Sequence, residues 1–266
     1  MAVPARTRAW IEAVARFGFA ARALVYMLVG VLAAAAAVGA TRRATDVQGA
    51  IRAMGRQPFG TALLVVVGLG LAAYAMWRGL QAGLDLDHKG RDLDGLVARA
   101  GFVVSGLVHA GLAYSCFGLA VGLRRGSSNG VRQWTTRLME APFGPWLVGA
   151  AGLTVMGAGV WQFYKAYARK YEDDLRVRSM SVAERRWLHR LGRAGLCARG
   201  VTFGLMGWFV LQAALDLNPH EARSMAGALR MLERQDHGPW LLAAVALGLT
   251  AYGALSLVDA RYRRIT

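Results

Sequence analysis

Gln57–Trp77, QPFGTALLVVVGLGLAAYAMW, carries no formal charge between Arg56 and Arg78. At about 1.5 Å of rise per residue, a helix of this length matches a hydrocarbon core about 30 Å thick. A membrane β-strand would need only about 10 residues and would alternate in polarity, which this stretch does not. Ala23–Thr41, Ala100–Leu123, Ala141–Tyr164, Ala194–Leu215 and His237–Val258 share its character. The charge-free stretches run 19 to 24 residues, and only Ala194–Leu215 is interrupted, by Arg199. The sequence therefore predicts an all-α polytopic membrane protein, a single membrane domain over residues 1–266 with six transmembrane helices.

Composition agrees. Of 266 residues 55% are hydrophobic, yet 32 basic residues face 16 acidic ones, for a net charge of +16. Hydrophobicity excludes a disordered chain, and two cysteines exclude a disulfide scaffold. A nucleic-acid binder would carry the charge without the apolar runs, so no nucleic-acid partner is expected. Cys116 and Cys197 are predicted to lie roughly 20 Å apart in depth, too far for a disulfide.

Basic residues set the orientation. One side collects the N-terminus, the 84–99 and 167–193 loops and the C-terminus, and with Arg22, Arg78, Lys165 and Arg199 it holds 21 Lys and Arg against 11 on the other. Both termini are predicted to be cytoplasmic, in a bacterial inner membrane. Arg6, Arg8 and Arg16 before an apolar run ending Ala34–Ala40 also look like a secretory signal. The internal repeat argues against that, because this run has counterparts deep in the chain.

Three copies of one unit are visible, at 7–83, 91–167 and 181–260. Arg16-x-Gly18 recurs as Arg99-x-Gly101 and Arg193-x-Gly195. Six residues after each arginine stand Arg22, Ser105 and Arg199, and ten after stand Tyr26, His109 and Phe203. Pro58-Phe59-Gly60 recurs as Pro142-Phe143-Gly144, with a degenerate third copy at His237-Gly238-Pro239. Gly70 and Tyr74 match Gly248 and Tyr252, while the second copy has Thr154 and Ala158. Each unit reads as a short amphipathic helix, a transmembrane helix, an outer loop and a second transmembrane helix. Two crossings per unit make the repeats parallel, unlike the inverted repeats of many transporters. Pro58 and Pro142 are expected in the first turn of their helices. Ser181-x-x-Glu184 is expected to form a capping box. Asp46–Met54 and Arg223–Leu232 have room for brief surface helices.

The Arg-x-Gly-x-x-x-Arg blocks at Arg16–Arg22 and Arg193–Arg199, the Pro-Phe-Gly starts and the three two-helix units resemble the bacterial membrane proteins grouped as domain of unknown function 1206. The resemblance covers nearly the whole chain and departs at Ser105 and at His237-Gly238-Pro239. It implies a six-helix membrane protein and brings no activity with it. Mitochondrial carriers also have three two-helix repeats, but their prolines lie in odd-numbered helices, which here contain none.

The candidate contacts are Arg16, Arg22, Arg99, Arg193 and Arg199, expected to reach anionic headgroups of the membrane lipids. For Arg22 and Arg199 the competing expectation is a shared anion site, with Asp85, Asp87 or Asp259 as internal partners. His109 is the one histidine well inside a span, and its counterparts Tyr26 and Phe203 make it an aromatic packing position before a metal or haem ligand. No cofactor and no catalytic set are expected. Gly79-x-x-x-Gly83, Gly118-x-x-x-Gly122 and Gly200-x-x-x-Gly204 are expected to pack helices together, inside the bundle or in a homo-oligomer or with a membrane protein partner. The leading functional expectation is a non-enzymatic structural or accessory membrane component. The alternative is a small-solute or ion transporter on the pseudo-three-fold axis, which a sealed apolar centre would exclude.

Overall fold

Nothing between each arginine-rich lead and the apolar run that follows it would end a helix, since neither proline nor a turn sequence intervenes. The computed structural model, which describes residues 5–41, 44–123 and 130–265, shows the consequence. Lead and run form one helix in all three units: α1 (Ala5–Ala37), α4 (Leu93–Ala120) and α7 (Val182–Leu215). The separate amphipathic helices expected from sequence are thus the first turns of the membrane helices. The second crossings are α3 (Gly60–Leu84), α6 (Gly144–Tyr167) and α9 (Gly238–Tyr262), and short helices α2 (Val47–Gly55), α5 (Gly130–Met139) and α8 (Met225–Glu233) lie between. All six long helices are long and apolar enough to cross a membrane. The protein is an all-α, multi-pass membrane protein of three parallel two-helix repeats. Arg42, Arg43, Arg124 and Arg125, counted above with the less basic side, lie outside the described residues.

The starts of α3, α6 and α9 correct the proline reading. Phe59, Phe143 and His237 precede the helices in left-handed backbone, with φ of 61°, 59° and 62°, a conformation that a bulky residue adopts rarely. Pro58 and Pro142 lie before that turn, outside the helix, whereas Pro145 and Pro239 occupy the first turn. Glycine follows the left-handed residue each time because the short helix ends against it. A Cβ on Gly60, Gly144 or Gly238 would lie 2.5, 2.3 or 2.1 Å from the carbonyl oxygen of Gly55, Leu138 or Glu233. The third copy is therefore degenerate in sequence but not in geometry.

The capping box forms as expected, with Ser181 Oγ accepting from the Glu184 N–H at 3.2 Å and the Ser181 N–H donating to Glu184 Oε2 at 2.8 Å. The short helices α2 and α8 do more than lie on the surface. They bury Ala50, Ile51 and Met54, and Ala228 and Leu229, between the long helices. Ala50 and Leu229 join Val29, Ala33, Leu242 and Ala246 in one buried apolar cluster. Asp46 fixes the arrangement: it caps α2 through the Gly49 N–H (3.0 Å) and accepts from Ser224 Oγ, at the start of α8, at 3.0 Å. Asp46→Ala is expected to cost about 1–2 kcal/mol, because two helix starts lose their common acceptor. Thermal unfolding in a mild detergent measures it, and an unchanged midpoint would refute the shared cap.

Packing between units repeats at equivalent positions. A Cβ on Gly159 of α6 would lie 2.9 Å from the Gly200 carbonyl of α7, one on Gly253 of α9 would lie 2.9 Å from that of Ala23 of α1, and one on Gly106 of α4 would lie 3.3 Å from that of Ala75 of α3. These three seams are the small-residue contacts that let membrane helices approach. Of the glycine pairs singled out in the sequence, Gly200-x-x-x-Gly204 lies on the α6–α7 seam, where a Cβ on Gly159 would also lie 2.9 Å from the Gly204 nitrogen, whereas a Cβ on Gly79, Gly83, Gly118 or Gly122 would meet no atom within 4 Å. Helix spacing alone cannot say which face of a glycine pair points inward.

Within units the symmetry breaks. α1 packs on α3 and α7 on α9, but among the described residues α4 and α6 form no comparable seam. The order of neighbours is α4–α3–α1–α9–α7–α6, a six-helix ring open at one joint, inside repeat two.

Candidate functional site

The Arg-x-Gly-x-x-x-Arg block is a helix joint in which each residue has its own task. Arg16 donates from Nη1 to the carbonyls of Ala260 (2.7 Å) and Arg261 (2.5 Å), at the end of α9. Arg99 makes the matching contact on α3, donating from Nε to Ala82 at 2.7 Å. Cations at these positions satisfy the orphan carbonyls of a helix C-terminus. Both arginines expected at headgroups thus spend donors on a neighbouring helix, since each unit packs its first helix beside the preceding unit's second. Arg193 is exposed and has no such bond among the described residues. The glycine lets two backbones meet: a Cβ on Gly18 would lie 2.6 Å from the Tyr74 nitrogen, and one on Gly195 would lie 2.6 Å from that of Tyr252. The second arginine then bonds the same tyrosine, Arg22 Nη1 to the Tyr74 hydroxyl at 2.5 Å and Arg199 Nη1 to that of Tyr252.

Repeat two shows the converse. Ser105 and Ala158 replace arginine and tyrosine, and a Cβ on Gly101 would meet no atom within 4 Å. The two departures from the repeat visible in the sequence, in helices far apart along the chain, coincide at the open joint.

Headgroup snorkelling is not what Arg22 does. It is 5% exposed, and beyond Tyr74 it donates from Nε to Ser256 Oγ (3.2 Å) and from Nη2 to Asp259 Oδ2 (2.8 Å). Its guanidinium lies 4.8 Å from the Tyr74 ring and 4.9 Å from that of Phe19. Burial becomes tolerable because every face of the cation finds a partner. Arg199, partly exposed, has no carboxylate: Tyr252 is its one hydrogen-bond acceptor among the described residues, and its Nε is buried without any. The rings of Tyr252 and Phe203 each lie 4.7 Å from its guanidinium, and Tyr26 lies 5.7 Å away. Tyr26 meets Tyr252 edge-on at 4.8 Å, linking the two arginines through one aromatic group.

More residues converge than the sequence reading singled out. Arg78 donates to the Tyr74 hydroxyl (2.8 Å) and to Gln81 Oε1 (2.9 Å). Gln81 donates to Asp87 Oδ2 at 2.7 Å, and Arg263 reaches Asp87 (3.5 Å) and Asp174 (3.0 Å). Lys165 of α6 is half-buried, 5.8 Å from the Trp161 ring, and within electrostatic range of Arg78, Arg199 and Arg263. Arg78, Lys165 and Asp259 stand at or near matching places in the second helices, so the repeat itself could have found them. Asp259 is thus Arg22's partner and Asp87 a partner of Arg263. Asp85 is neither. It accepts from the N–H groups of Gly90 (2.9 Å) and Lys89 (2.8 Å), which hold its carboxyl below the usual range.

His109 is buried against this cluster, its ring centroid 4.5 Å from that of Tyr74 and its Nδ1 2.7 Å from the Ser105 carbonyl. That is a packing and hydrogen-bonding role. Among the described residues no three His, Cys, Asp or Glu side chains gather as a metal site.

Five cations (Arg22, Arg78, Lys165, Arg199, Arg263) therefore share the end of the bundle near the termini with three carboxylates (Asp87, Asp174, Asp259). A second basic feature lies at the opposite end, an open cleft of about 260 Å³ lined by Arg132, Arg223, Arg230 and Arg234. There Arg223 is already paired with Glu221 at 3.5 Å and stacked 4.5 Å from Phe209.

A family profile described as Domain of Unknown Function (DUF1206) matches three times, at residues 17–85, 100–169 and 194–263. An uncharacterized protein of Bacillus subtilis (strain 168), YxxB, is 32% identical over 260 residues, spanning 98% of this chain and 94% of its own. No solved structure matches.

Proposed function

The chain belongs to the DUF1206 family, and we propose that it is a non-enzymatic, accessory component of the bacterial inner membrane that holds an anion among the arginines where its repeats converge. One observation carries this reading. Arg199 is set inside a membrane helix with no carboxylate partner, beside Arg22, whose one carboxylate is Asp259. An arginine at such depth is costly unless it is paired. A bidentate oxyanion is the partner that its planar fork fits best. Cytoplasmic termini, supported by the 21 to 11 distribution of basic residues, would put the cluster on the cytoplasmic side.

Transport across the bundle is the second reading, and the polar centre with Arg22 and Arg199 converging favours it. The apolar cluster around Ala50 and Leu229 opposes it, since it fills the far end of any path along the axis.

The test is thermal unfolding of delipidated protein in a neutral detergent with inorganic phosphate, glycerol phosphate or phosphatidylglycerol added. A ligand at about 100 times its Kd adds about 2.7 kcal/mol, so at least one of these should raise the midpoint by several degrees. Arg199→Lys keeps the charge but loses the planar fork, and should abolish most of the rise. If no phosphate compound shifts the wild-type midpoint, or if the lysine variant responds fully, the anion site falls.

A further inference from the structure

The open joint and the unspent cations lie together. Lys165 has no hydrogen bond or ion pair among the described residues. Arg78 spends Nε and Nη1 on Tyr74 and Gln81, leaving Nη2, and Arg199 spends only Nη1. These three side chains come from α3, α6 and α7, so they flank the opening from both sides. Lys165 lies in the electrostatic field of the other two and of Asp174, and Asp174 is already bound to Arg263. Like charges gathered at low dielectric repel strongly unless an anion bridges them.

Access can come from only a few directions. At the far end α2 and α8 close the bundle with Ile51, Leu229 and their neighbours. Sideways, every other joint of the ring is a packed helix seam. At the depth of Gly101, two residues past Arg99 and level with the equivalent of Tyr74 in the other units, a Cβ on α4 would meet no atom within 4 Å. One turn along from Gly101 and Ala158, Val104 on α4 and Trp161 on α6 are apolar and exposed. A ligand arriving here comes out of the bilayer, and its uncharged part lies along those side chains.

On the reading that this cluster binds an anion, we infer that the anion is the phosphate of an anionic phospholipid from the leaflet near the termini, admitted sideways between α4 and α6. Lys165, Arg78 and Arg199 hold the headgroup, and the acyl chains lie along α4 and α6, where these helices lack the tight seam of the other joints. The second repeat has lost Arg, Gly and Tyr at Ser105, Thr154 and Ala158 because these residues would close the door. The cytoplasmic leaflet supplies such lipids in bacteria-like membranes with a negative surface potential.

Native mass spectrometry of the full chain, equilibrated with equal phosphatidylglycerol and phosphatidylcholine in neutral detergent, tests this. Wild type should retain one phosphatidylglycerol per chain at least ten-fold over phosphatidylcholine. Arg199→Gln should lose that preference, and so should Gly101→Trp, which fills the opening where there is space for a side chain. Ala158→Trp obstructs it from the other side and serves if the first variant does not fold. Equal retention of both lipids overturns the inference. So does protection by inorganic phosphate as strong as by phosphatidylglycerol at equal concentration, which leaves the anion site standing with a soluble ligand. Full retention in both tryptophan variants, with loss in Arg199→Gln, rules out lateral access. Binding of no phosphate compound removes the anion site as well.

Discussion

Asp259→Asn is expected to cost about 3–5 kcal/mol of stability. It removes the one carboxylate that meets Arg22, in a pair whose side chains are 6% and 15% exposed. Breaking such a pair from one side leaves a desolvated charge, which is worse than never having had the pair. Tyr74 and Ser256 remain as neutral acceptors for Arg22, so the loss belongs nearer the lower figure. Arg22→Met alone strands Asp259 and should be similarly harmful, whereas Arg22→Met with Asp259→Leu should recover part of the loss, because no buried charge is left alone. Chemical unfolding of the purified protein in detergent, followed by circular dichroism, gives the three differences and their coupling. A loss below about 1 kcal/mol for Asp259→Asn would mean that the pair is hydrated, and Arg22 would return to being a snorkelling topology residue.

How far the sequence reads ahead of the structure follows from which physical effects are local. The crossings were legible because hydropathy over about 20 residues is a property of a window. The repeat was legible because identical joints need identical residues: Gly18, Arg22 and Tyr74 act as a set and reappear as Gly195, Arg199 and Tyr252. What Arg22 does was not legible, because its partners Ser256 and Asp259 lie more than 230 positions away. Depth alone made headgroup contact the natural expectation, and only the seam between α1 and α9 puts a carboxylate within reach. Two of the three glycine pairs failed for a related reason, while Gly200 and Gly204 do meet α6. Gly79 and Gly83 share a helix face, but nothing in their spacing says whether another helix covers it. Even the open joint left a trace, in Ser105, Thr154 and Ala158, although divergence of one copy becomes meaningful only when the residues it removes are seen to be joint residues.

That joint gives the last prediction, in which one substitution changes sign with the repeat that carries it. Glycine to alanine in a helix interior is favourable by up to about 1 kcal/mol when the new methyl has space. At Gly101 a Cβ meets no atom within 4 Å, so Gly101→Ala should stabilise by about that amount. At Gly18 and Gly195 the same methyl would lie 2.6 Å from a backbone nitrogen of the facing helix, and a backbone cannot swing aside as a side chain can. Those helices must separate, stretching the bonds from Arg22 to Tyr74 and from Arg199 to Tyr252. Gly18→Ala and Gly195→Ala should therefore each cost about 1–3 kcal/mol, the range for overpacking a tight contact. Unfolding midpoints of the three variants in one detergent decide the matter. If Gly101→Ala destabilises as much as the other two, then α4 and α6 close on each other in the membrane and repeat two is a joint like its neighbours. Opposite signs for one substitution at three equivalent positions would mean that the ring is open where its sequence lost the parts that hold it shut.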